Sequence, residues 1–87
     1  MSVEQTLTER GNRYGTFDLH ASITQQLKGV AQTFINTHNK QLSPSQLEAI
    51  DMIFHKIGRI LNGDPNYADS WHDIAGYATL VEQELAA

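Results

Sequence analysis

Two pairs of acids and two pairs of cations are the residues of this chain whose types and spacing carry chemistry. Glu48 and Asp51 form one acid pair, Asp69 and Asp73 the other. Carboxylates three or four residues apart share one face of a helix. If antiparallel helices gather both pairs, the four side chains offer hard oxygen ligands to one Mg²⁺, which would hold a substrate's phosphates. The cations are the complementary set. Arg10 and Arg13 lie in "RGNRYGTF" beside Tyr14 and Phe17, and Lys56 and Arg59 sit within one helical turn of each other. Guanidinium groups grip phosphate oxygens bidentately, and aromatic rings stack on a base. The plainer alternative for these cations is ion pairing with Asp69, Asp73 and Glu48, which is worth little on a surface. His55 and His72 are not spaced as zinc ligands on one helix and read as surface or boundary residues.

The elements that must position these groups read as helices throughout. Ser2–Glu9 forms a short helix capped by Ser2, and "RGNRYGTF" breaks it into a loop, with Gly11 and Gly15 permitting unusual backbone angles. Leu19, Ile23, Leu27, Val30 and Phe34 recur at spacings of three and four, one apolar face of a helix over Leu19–Thr37 capped by Thr16 or Asp18. "SPSQ" is the strongest local signal: Ser43 as N-cap, Pro44 at N1 and Gln46 closing a capping box. That helix runs to Asn62, with Gly63 as a left-handed C-cap and Pro65 preventing continuation. The last helix starts at Asn66 or Asp69 and reaches Leu85. Its core stripe is Trp71, Ile74, Ala75, Ala78, Val81 and Leu85. The other side carries Asp69, Asp73, Gly76 and Leu80, with Tyr77 at the margin. A solvated face does not need Gly76, which costs up to about 1 kcal/mol against Ala inside a helix. That side therefore suits close approach by another helix, a subunit or a ligand. The whole is an all-α fold, residues 1–87 as a single domain: a small bundle of three main helices plus a short N-terminal one.

Totals narrow the partners. The net charge is −4, from ten acids against six bases, so duplex nucleic acid is excluded as a natural partner while a small anionic ligand is not. There is no cysteine, which fits a reducing compartment. No apolar run is long enough to span a bilayer and no signal peptide is evident, so no membrane partner and a cytoplasmic location are expected. A chain this short buries only about 60–65% of its unfolded surface, which makes a homo-oligomer the expected state, with Gly76 and Leu80 near a subunit contact.

"ERGNRYGTF" and "HKIGRILNGDPNYADSWHDIAGYATLVE" resemble a small domain family of phage and prophage proteins of unknown function. The architecture is also distantly similar to the all-α nucleoside triphosphate pyrophosphohydrolases of the MazG type, which hold Mg²⁺ with an EExxE segment on one helix and an ExxD segment on the next. By that resemblance "LEAID" brings Glu48 and Asp51, and "DSWHD" brings Asp69 and Asp73, to the metal positions. Leu47 stands where the first acid would be, Asp51 is a shorter arm, and the second pair is spaced by four. The resemblance therefore implies a phage-encoded helical domain that binds a nucleotide or nucleotide-derived signal without turnover and without a cofactor, sequestering it from host defence. Its ligand-binding residues would be Arg10, Arg13, Tyr14, Phe17, Lys56, Arg59, Asp69, Asp73 and Tyr77. The alternatives are a divergent Mg²⁺-dependent pyrophosphohydrolase using Glu48, Asp51, Asp69 and Asp73, and a non-enzymatic module that inhibits a host protein.

Overall fold

Ser2 opens the first helix with the device that opens the third. In the computed structural model, which describes residues 2–87, the Gln5 N–H donates to the Ser2 hydroxyl and the Ser2 N–H donates to the Gln5 side chain. Ser43 and Gln46 repeat the exchange. Each capping box satisfies two amide groups that a helix start otherwise leaves unpaired. The fold is all-helical: α1 Val3–Tyr14, α2 Phe17–Thr37, α3 Pro44–Asn62 and α4 Ala68–Ala86.

Three local expectations need correction. "RGNRY" is not a loop. α1 passes through Gly11 and ends at Tyr14, so Arg10, Arg13 and Tyr14 are helical. An exposed glycine weakens a helix by only about 1 kcal/mol, which the flanking turns tolerate. The break comes at Gly15, with φ 78°, whose N–H donates to Gly11 O at 2.9 Å. Gly63 is the second correction. Its φ of −132° is not left-handed. Glycine is needed there because a Cβ would collide with the backbone of Arg13 and Tyr14. The two turns dock on each other: Asp64 N–H donates to Arg13 O at 2.7 Å, and the Asn62 amide donates to Tyr14 O and Thr16 O at 3.0 and 2.8 Å. Thirdly, α4 begins at Ala68, after Tyr67 as N-cap.

The helices do not close around a core. α2 packs on one side of α3 and α4 on the other, and α2 and α4 do not touch. From Ile50 to Ile60 every residue of α3 is half-buried, except Gly58, which is buried. That is the mark of a helix flanked on two sides and open on its other two. Ala49 is the one buried apolar residue among those described. α4 meets α3 along the boundary between its two expected faces, through Ser70, Asp73, Ile74, Tyr77 and Val81. The expected core stripe is therefore rotated away from α3. Leu85 is exposed, and so is Trp71, whose indole N–H donates to Pro65 O at 2.9 Å. Gly76 has open space around it and serves no packing within the chain.

Candidate functional site

Arg10 and Tyr14 are one turn apart on α1, and the Gly15 turn aims them at the start of α2 and the end of α3. There they line a cavity of about 460 Å³ together with Phe17, His20, His55 and Arg59. This size lies within the 300–1,000 Å³ typical of small-molecule sites. The Asn62 amide, bonded to both sides of the turn, fixes the angle between α1 and α2 and so the mouth of the cavity.

Its cations are unneutralised. Among the described residues one ion pair forms, Lys56 to Asp73 at 2.9 Å, and it holds the Asp73 carboxyl below its usual range. Arg59 instead lies over the Tyr14 ring at 4.4 Å. A guanidinium stacked on a ring face keeps its N–H edges for other acceptors. Arg10 also lacks a carboxylate partner among these residues. Phe17 stands at the rim, 80% exposed, its ring 6.4 Å from that of His20 and nearly parallel to it. An arriving planar group would cover it.

The floor is a histidine pair that the spacing reading missed. His20 Nε2 and His55 Nδ1 are 3.2 Å apart, with rings tilted by 46°. His55 is thus a boundary residue, half-buried as a member of a pair, and His20 is only 7% exposed. Gly58 makes the room, since a Cβ there would lie 2.9 Å from the His20 ring. His20 Nδ1 is buried without a hydrogen-bond partner. One proton lies between His20 Nε2 and His55 Nδ1, and which ring donates it depends on the tautomer. Burial lowers both pKa values. For His20 the His55 ring and Arg59 add to the effect, and for His55 Lys28 and Arg59 do. Asp51 acts in the opposite direction on His55. Both rings are accordingly neutral near pH 7. The signal was present in the sequence as His20 on the inner side of the second helix and Gly58 one turn after His55, but histidines 35 residues apart carry no motif.

Other expected site residues lie elsewhere. Arg13 stacks over the Tyr67 ring at 4.3 Å and donates to its hydroxyl, which donates to Asp69 at 2.9 Å. This chain ties α1 to the start of α4. Tyr77 lines a cleft between α3 and α4 with Glu48 and Leu80, whereas Asp51 lines a cleft against α2. Glu48, Asp51, Asp69 and Asp73 are thus not gathered within one chain. Among the described residues no three histidines or carboxylates come together as a metal-binding group, and no helix is long and apolar enough to cross a membrane.

Residues 2–85 match a family described as a domain of unknown function, DUF6378. The chain belongs to that family. Comparison with curated proteins and with solved structures gives no match to either.

Proposed function

We propose that the α1–α2–α3 cavity binds a phosphate-bearing small molecule of nucleotide type and holds it without turnover. The observation that carries this reading is the convergence of Arg10, Arg59 and the neutral His20–His55 pair on one cavity with Tyr14 and Phe17 as walls. In a chain of net charge −4, two arginines on one cavity without carboxylate partners among the described residues keep their N–H groups free for an anion. The phosphate would lie between the guanidinium groups and the His55 ring, and a base or sugar ring would cover Phe17. The resemblance to phage domains offers a use: sequestration of a host defence signal, such as a cyclic nucleotide or an ADP-ribose derivative, in the host cytoplasm. The pyrophosphohydrolase alternative gains no support from the separated carboxylates, two of which are engaged by Lys56 and Tyr67.

The test is retention. The protein is incubated with a panel of nucleotides and cyclic nucleotide signals, with and without Mg²⁺, freed of excess ligand and then denatured. Intact phosphate-bearing ligand should be released, and Arg59→Ala should weaken its binding by about 1.5–3 kcal/mol, the range for charged hydrogen bonds. Arg59→Lys should recover part of that, because an ammonium does not reproduce a planar two-pronged contact. Release of pyrophosphate or other cleavage products would replace binding with hydrolysis. No retention would remove the reading and favour an interaction module.

A further inference from the structure

We infer that the apolar groove along α3 is covered by the same groove of a second copy, so that the folded unit is a two-fold dimer. The argument is independent of the ligand reading. The groove lies on the side of α3 where Ile50 and Ile53 form its floor; Val30 and Phe34 of α2 form one wall, and Ala78 and Val81 of α4 the other. It is a trough of about 850 Å³ whose single charged lining residue is Lys40.

The chain as a whole exposes more surface than a compact fold of its size. The chain exposes 6357 Å², where a folded monomer of its 9.7 kDa exposes about 5,100 Å². The surplus is roughly 1,200 Å² over the whole chain, of which the groove is one part, and association that hid it in both copies would remove roughly 2,400 Å². The radius of gyration agrees: 14.9 Å against about 12 Å for a compact domain of this length. Among the described residues no side chain is fully buried, and the half-buried isoleucines of α3 would complete their burial against an outside partner.

The shape favours a second copy as that partner. Val30, 74% exposed, and Phe34, 52% exposed, form a ridge beside the trough, and the small Ala78 opposite leaves space. Ridge and trough on one face suit an isologous contact in which each ridge enters the other's trough. A lipid surface fits poorly, because the rim has one cation and the chain is acidic.

Sedimentation or light scattering over a concentration series tests this, with Val30→Glu and Leu80→Glu as variants. Val30 and Leu80 are both exposed in the single chain, but Leu80 lines the cleft on the other side of α4. The expected result is twice the chain mass for wild type and Leu80→Glu, and chain mass or unfolding for Val30→Glu. The melting temperature of wild type should rise with protein concentration, as association coupled to folding requires. A wild-type monomer with a concentration-independent melt would overturn the inference and leave the groove to a different partner. So would a dimer that survives Val30→Glu but is lost in Leu80→Glu or Gly76→Glu, which would place the contact on the opposite side of α4.

Discussion

His20 and His55 meet although 35 residues separate them, and that meeting changes what each ring does. Alone on a surface, a histidine titrates near 6.5. Here burial pushes both below that value, assisted by Lys28 of α2 and by Lys56 and Arg59 of α3, while Asp51 opposes the shift at His55. The unfolded chain therefore binds more protons than the folded one in the window below pH 6.5. Stability is full above that pH and declines as pH falls through the depressed folded values. Urea melts at stepped pH should show the decline, and His55→Gln should flatten it. An unchanged slope in His55→Gln would mean that other groups set the acid limb. Four of the expected ligand residues, Arg10, Tyr14, Phe17 and Arg59, do share a cavity. Cations beside rings are recognisable in a linear string because each pair is local. The histidine pair was not, because it exists only through the packing of α2 on α3.

At the scale of elements, the start of α3 and the ends of α2 and α3 were legible, and the end of α1 and the start of α4 were not. A capping box names its own residues: the Ser43–Gln46 box formed as spelled, and the expected Ser2 cap proved to be a full box with Gln5. Chain breaks depend on what a glycine faces. Gly11 faces open space and the helix runs through it, whereas Gly15 faces Asn62 and the helix stops. The α4 wheel misplaced the buried face: Trp71, Ala75, Ala78 and Leu85 of the expected stripe are exposed, and α4 docks on α3 along the boundary of the two faces, since its neighbour is a single helix and not a core. Gly58 links this scale to the site. Gly58→Ala would bring a methyl within 2.9 Å of the His20 ring and of Thr24 Cγ2, so it should cost about 1–3 kcal/mol by overpacking. It should also displace His20 from His55. Gly29→Ala, with open space around the glycine, should instead raise helix stability by up to about 1 kcal/mol. Thermal melts of the two variants provide the comparison, and equal effects would show that the α2–α3 contact at His20 is looser than described.

The whole molecule is a layer with α3 in the middle, apolar on one open face and polar on the other. Residue patterns predict helices and stripes well, because those follow from spacing alone. They do not say how many partners a stripe has, and here the α3 stripe is shared between α2, α4 and an uncovered groove. On the two proposals made above, the open faces would divide the work: the groove for association, the Arg10–His20–His55–Arg59 cavity at the end nearest α1 for an anion. A bound phosphate should favour a singly protonated His20–His55 pair and so oppose the lowering of its pKa. The most direct measurement is the ring ¹⁵N spectrum of the four histidines at pH 7 during titration with millimolar inorganic pyrophosphate. The His20–His55 pair should take up one proton between its two rings and shift toward the imidazolium position, with His38 and His72 nearly still, and Arg59→Ala should blunt the change. Four unmoved histidines, or movement at His38 and His72 alone, would contradict an anion site on this cavity.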